Sequence, residues 1–316
     1  MNPLNIFRYV PLSFMRAFAL FMVWIIILIP NLRIKRTIQI NLQLAFPELS
    51  KKQRYVLTKQ TLKNQGLSAI ESVKCWAMQP KWSIDRIDNV INQEVFDEAH
   101  ANPNGMLAIV PHLGTWEIMN AWLNQFGSPT IMYKPASREI TDDFILQGRQ
   151  RLNATLVPTD ASGVMAIFKT LKSGGFSIIL PDHVPKPSGG VIVPFFGIET
   201  LSSTLAPKLA NKTKCALVGL TCLRNDNDGF DIYCTKLDDP DLYDRNMKVA
   251  TYALNKAMED MIRFCPSHYM WSYRRFKRIP NLGNPYNASE VQLSQFLKQR
   301  VSVNSQHSMN IEKLEK

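Results

Sequence analysis

Cysteine is scarce and badly placed for chemistry. Five occur in 316 residues (Cys75, Cys215, Cys222, Cys234 and Cys265), with no C-x-x-C pair and no histidine at zinc-ligand spacing. The odd count and wide separations exclude a disulfide framework and a zinc site, and fit reduced thiols in a cytosol-facing domain. No G-x-S-x-G elbow is present, so the sequence carries no sign of a serine acyl-enzyme. Acidic residues are outnumbered 26 to 37, for a formal charge of +11, while an apolar share of 46% excludes a disordered chain. Such a basic excess fits nucleic acid, an anionic membrane surface or an acidic partner, and charge alone does not choose. Nothing in the composition implies a metal or a dissociable cofactor, or sets an oligomeric state.

The N-terminus chooses. "AFALFMVWIIILIP", residues 17–30, carries no charge but falls short of the ~20 apolar residues of a full span. No small-x-small cleavage site follows it, which argues against a signal peptide. Arg33, Lys35, Arg36, Lys51, Lys52 and Arg54 lie behind the run and only Arg8 and Arg16 ahead of it, so the positive-inside bias keeps the remainder on the cytoplasmic side. Residues 1–32 are expected to form a membrane anchor, spanning or deeply inserted, with Arg16 snorkelling towards an interface. The basic excess then reads as attraction to anionic membrane lipids, not nucleic acid.

Residues 33–100 predict a helical lead-in, with Ser50 as a cap before a long helical run. From 101 to 286 short apolar runs ("MLAIVP", "TIMY", "ATLV", "FSIILP", "CALVGLTC") alternate with helical periods, the clearest being Val164, Ile167, Phe168 and Leu171. "GFDIYCTK" predicts one further strand, and a long helix is expected over 245–264. This alternation predicts an α/β fold with a mostly parallel sheet covered by helices. A polar C-terminal tail is expected over 287–316.

"LAIVPHLGTWEIMN", residues 107–120, places His112 and Glu117 where a buried strand stops. A carboxylate on one imidazole nitrogen would leave the other free to take a proton from an attacking hydroxyl. Lys134 follows "TIMY", and Asp182 and His183 follow "FSIILP", so three polar clusters fall at the carboxyl edge where open α/β sheets bind ligands.

The frame H-x-G-x-W-E in "HLGTWE" resembles the first motif of the late lipid A acyltransferases, the lauroyl and myristoyl transferases of Gram-negative envelopes and relatives of the glycerolipid acyltransferases. "NLQLAFPELS", "MYKP" with "GRQR", "LKSGGFSIILPDHVPKPSGGVIVPFFGIETL" and "YMWSYRRFKRIP" are similar to further blocks of that family, in order, over about residues 33–280. The chain departs from part of the family in His183-Val184-Pro185, where some members carry an acidic, glycine-containing turn.

The resemblance implies a glycerolipid acyltransferase-like fold and names roles. His112 becomes the general base and Glu117 its partner. Arg149 is expected near the acyl carbonyl or an acceptor phosphate, and Asp182 is expected to hold Arg149 or a sugar hydroxyl. Gly114 would let the backbone approach the reacting atoms. Thr115, Lys134, Arg274 and Arg275 complete the expected substrate-binding set, and Phe195 and Phe196 suit either an acyl groove or core packing. The implied reaction moves a fatty acyl group from acyl carrier protein to a hydroxyl of a lipid A precursor at the cytoplasmic face of the inner membrane. Its rivals are another lipid acceptor such as a lysophospholipid, a non-catalytic membrane scaffold, and a hydrolase.

Overall fold

In the computed structural model, which describes residues 2–280, 282–289 and 291–298, α1 (Leu12–Leu28) bends by 82° into α2 (Arg33–Ala45). The long α3 (Lys51–Ala77) and short α4 (Pro80–Ile84) follow. Ser50 does cap α3: its hydroxyl accepts from the Gln53 N–H while the Gln53 side chain accepts from the Ser50 N–H. Then come β1 (Ile87–Ile91), α5 (Gln93–His100), β2 (Met106–Ile109), α6 (Trp116–Leu123), β3 (Thr130–Tyr133) and α7 (Glu139–Gln150). Next are β4 (Thr155–Pro158), α8 (Ala161–Lys172), β5 (Phe176–Ile179) and a hairpin of β6 (Gly190–Phe195) and β7 (Ile198–Ser203). The chain closes the fold with α9 (Leu205–Thr213), β8 (Ala216–Arg224), β9 (Phe230–Lys236) and α10 (Met247–Phe264).

Seven strands form one sheet in the order β1-β9-β8-β2-β5-β3-β4, and only the β8–β9 pair is antiparallel. This is the expected α/β class. β2 and β5 are buried along their whole length, as continuous apolar runs must be when helices cover both faces. Leu107 and Ile109 face the cluster that includes Leu171, Leu209 and Leu254 of α8, α9 and α10, while Met106 and Ala108 face Phe96 of α5 and Ile118 of α6. β1 was not legible in the sequence because Asp88 and Asn89 break its apolar period. Phe195 and Phe196 do not line the cleft that holds His112. They sit in the core, Phe196 edge-on to Phe46 and Trp271. Of the expected tail, residues 291–298 are helical with Leu293 packed into the main cluster, and the stretch from 299 lies outside the described residues.

Among the described residues no single helix is long and apolar enough to cross a membrane. α1 divides its faces instead. Met15, Arg16, Ala19 and Val23 are buried, with Val23 so close to α3 that a Cβ on Gly66 would lie 2.7 Å from it. Phe14, Phe18, Phe21, Trp24 and Leu28 are exposed. Arg16 therefore does not snorkel. It donates to Glu71 at 2.8 Å, and Arg224 reaches the same carboxylate at 2.7 and 2.8 Å. Glu71 is fully buried and also accepts from Thr115. Glu71→Ala removes the carboxylate shared by both guanidiniums, leaving Arg16 the exposed Asp228 at 3.1 Å and Arg224 the Asn64 amide oxygen at 3.3 Å, and is expected to cost about 3 kcal/mol in urea unfolding. Arg16→Met, which leaves Arg224 paired, should cost distinctly less; equal losses would contradict this arrangement.

Candidate active site

The site is built by the register of β2 on β5. Ile109 pairs with Ile179, and the Val110 N–H donates to the Ile179 carbonyl. Each strand then reads one apolar residue, a proline that ends the ladder, and a polar residue: Val110-Pro111-His112 and Leu180-Pro181-Asp182. Equal offsets from paired residues bring His112 and Asp182 face to face. His112 Nδ1 lies 2.8 Å from Asp182 Oδ1, and the His112 N–H donates to Oδ2 at 3.2 Å. The Tyr269 hydroxyl donates to Oδ2 as well, at 3.0 Å. Tyr269 is brought there because residues 268–270 run beside 112–114, the Gly114 N–H donating to the His268 carbonyl and the Met270 N–H to the His112 carbonyl.

Asp182 is completely buried. Burial pushes its carboxyl up, but the imidazole of His112 and the hydrogen bonds outweigh that and hold it well below the usual carboxylate range. An ionised Asp182 accepts from Nδ1–H and so holds the proton on that nitrogen, which leaves Nε2 of His112 as the basic nitrogen. The ring of His112 is fixed on two sides. Trp116 meets it edge-on at 5.1 Å, and His183 stacks on it at 3.9 Å with Tyr273 stacked at 3.9 Å beyond.

Glu117 is not the partner of His112. It lies in the first turn of α6, buried, where it accepts from Arg149 and, at 3.3 Å, from Asn120. Arg149 comes from the last turn of α7, which Gly148 lets run against Trp76; a Cβ there would sit 2.7 Å from that residue's backbone. Burial works against the Arg149 charge, but the Glu117 carboxylate more than compensates and its pKa rises. Asp182 therefore does not hold Arg149, and the two carboxylates have exchanged the roles expected of them.

Three other expected residues are structural in this arrangement. Gly114, at φ +73°, approaches the Cys222 carbonyl, not a ligand: a Cβ would lie 2.0 Å from that oxygen. Thr115 is buried and donates towards Ser68 and Glu71. Arg275 is buried under the β6–β7 hairpin, donating to the Leu201 carbonyl at 2.9 Å and to Ser202 at 2.7 Å. Lys134 is exposed after β3 and lines the same cleft as His112 and Arg149. Arg274 lies elsewhere, over the Tyr286 ring.

The cleft has a volume of about 510 Å³. His112, Lys134, Arg149 and His183 are its basic groups, and its walls are largely apolar, with Met119, Ile131, Leu156, Ile178 and Leu205 among them. It thus offers one basic nitrogen and two cations beside a surface fit for hydrocarbon.

The model of the bacterial lipid A biosynthesis acyltransferase family matches residues 3–278. The chain belongs to that family. A lipid A biosynthesis lauroyltransferase of Escherichia coli is 30% identical over 246 residues, 76% of this chain and 78% of the relative. A lipid A biosynthesis acyltransferase of Haemophilus influenzae is 27% identical over 251 residues, 78% of each. A lipid A biosynthesis palmitoleoyltransferase of E. coli is 23% identical over 247 residues, 76% of this chain and 78% of the relative.

Two histidines give this acyltransferase-family member a pH-dependent stability. Burial first, and the neighbouring His112 next, lower the His183 pKa to about 4; burial first, and Arg224 next, lower that of His268 to about 4. In the unfolded chain both would titrate near 6.5. The unfolded state therefore binds more protons between these values, so stability is full above about pH 6.5 and is lost as pH falls towards 4. Denaturation midpoints should fall across that window, and His183→Gln should flatten the slope; an unchanged slope would contradict the assignment.

Proposed function

We propose that the chain transfers a fatty acyl group from an acyl carrier protein thioester to a hydroxyl of a lipid A precursor. The observation that carries this reading is the His112–Asp182 pair, with His112 lining a largely apolar cleft, in a chain of this family. His112 Nε2 takes the hydroxyl proton as the oxygen attacks the thioester carbonyl, and Asp182 stabilises the imidazolium. The tetrahedral oxyanion faces the cations of the cleft, with Arg149 set in place by Glu117. Collapse breaks the C–S bond, the imidazolium returns its proton to the leaving thiolate, and an ester remains. No acyl-enzyme is required.

The exposed Phe14, Phe18, Phe21, Trp24 and Leu28 suggest how the substrate is met. With its other face committed to α3, α1 would lie in the plane of the inner membrane on the cytoplasmic side, its aromatic side in the acyl boundary. A Phe18→Ser/Phe21→Ser/Trp24→Ser variant should then leave the membrane pellet for the soluble fraction with its fold intact. Retention in the pellet would argue against this placement.

The function is tested by incubating the purified protein with acyl carrier protein or coenzyme A thioesters and with either a lipid A precursor or a lysophospholipid. The expected product is the lipid A precursor heavier by an acyl group, formed from the carrier-protein thioester. Transfer to the lysophospholipid alone would move the acceptor, and thioester hydrolysis without transfer would favour a hydrolase.

A further inference from the structure

The cations of "YRRFKR" part ways in the fold. Arg275 turns inward, whereas Arg274 and Lys277 line an open groove of about 600 Å³ together with Arg33 from the first turn of α2. Arg33 and Lys277 are exposed. The Lys277 ammonium lies 4.9 Å from the Tyr273 ring centre and the Arg274 guanidinium 5.4 Å from that of Tyr286, so both are held at the rim. Among the described residues, no carboxylate forms an ion pair with any of the three. Two guanidiniums and an ammonium lining one groove without an internal counter-charge make a site for a multiply charged oxyanion.

Two features say which one. Tyr273 lines this groove, and its ring also stacks on His183, which stacks on His112, each at 3.9 Å. A ring that lines the groove is therefore two stacking steps of 3.9 Å from the catalytic imidazole, a separation that one sugar headgroup can bridge. On its outer side the groove adjoins the α1–α2 bend, where Leu28, Ile29 and Ile34 are exposed. An anion carried on a lipid headgroup would keep its acyl chains beside these residues.

We propose that this groove binds a phosphate monoester of the lipid acceptor and so sets which hydroxyl is presented to His112. The proposal rests on the acceptor reading above. It is tested by steady-state kinetics with the phosphorylated lipid A precursor and with the same lipid after enzymatic dephosphorylation, at saturating donor, for wild type and Arg33→Gln/Lys277→Gln. With the phosphorylated acceptor the double variant should show a KM higher by roughly ten- to a hundredfold, as charge-assisted hydrogen bonds are lost, with kcat little changed. Wild type should show a similar rise on the dephosphorylated acceptor, where the penalty of the substitutions should shrink to about twofold or less, because the interaction is already gone. Arg33→Lys/Lys277→Arg should retain most of the affinity.

An equal penalty on both acceptors would overturn the proposal. So would a rise confined to the KM of the thioester donor, which would assign the groove to the phosphate of the carrier's prosthetic group. If wild type acylates neither lipid, the acceptor reading fails on its own. Binding of the two lipids in detergent micelles then judges the groove: phosphate-dependent binding lost in the double variant upholds it, and equal binding of both lipids overturns it.

Discussion

Asp182→Asn should slow acyl transfer by on the order of 10³-fold or more, with little change in KM for either substrate. The reason is tautomeric. An ionised Asp182 can only accept, so it keeps the proton on Nδ1 of His112 and the lone pair on Nε2. An asparagine amide turned to donate to Nδ1 reverses this and places the proton on the nitrogen that must act as base. The site has every means to hold the amide in place, since the His112 N–H and the Tyr269 hydroxyl still occupy the other oxygen. The measurement is kcat across pH 5–9, with unfolding curves to show that the variant is folded. If Asp182→Asn kept wild-type kcat while Glu117→Gln lost it, the His112–Glu117 dyad expected from the sequence would be restored.

Glu117→Gln and Arg149→Lys should each lower kcat by about 10²-fold, the scale of removing one aligned donor from a developing oxyanion. Both changes disturb one object. The first leaves the guanidinium without its counter-charge, and the second replaces a rigid fork with a flexible point charge. The double variant should therefore be scarcely worse than either single one, so the coupling in a double-mutant cycle on kcat should approach the ~2.7 kcal/mol of one hundredfold loss. Glu117 with His112 should instead combine close to additively. Additivity of the Glu117–Arg149 pair would contradict the assignment of Glu117 as the residue that positions Arg149.

The pattern of the chain shows why some of this was legible and some was not. The runs "MLAI", "TIMY" and "FSII" could be read as strands because helices cover both their faces and mainly apolar residues survive there. Their polar followers could then be placed on one edge. Which followers meet depends on strand order, and β5 inserts between β2 and β3. No local spacing states that. The nearness of His112 and Glu117 in the chain favoured a partnership which the first turn of α6 denies, since it aims Glu117 at α7. A signal was nevertheless present: "IVPH" and "ILPD" have the same frame, and two strands paired in register make that frame a contact. Arg275 and Arg274 are adjacent in a segment without helix or strand period, so nothing in sequence could tell the buried one from the exposed one. Arg16 looked like a charge to be moved out of an apolar run because its partner, Glu71, lies on another helix.

The account turns on whether this chain adds an acyl chain to lipid A through His112. The measurement closest to that question is the mass spectrum of lipid A from cells lacking the gene, complemented with wild type or with His112→Ala at matched protein levels. The account predicts that the deletion removes the mass of a secondary acyl chain, that wild type restores it, and that His112→Ala does not. An unchanged lipid A in the deletion strain, or full restoration by His112→Ala, would contradict it.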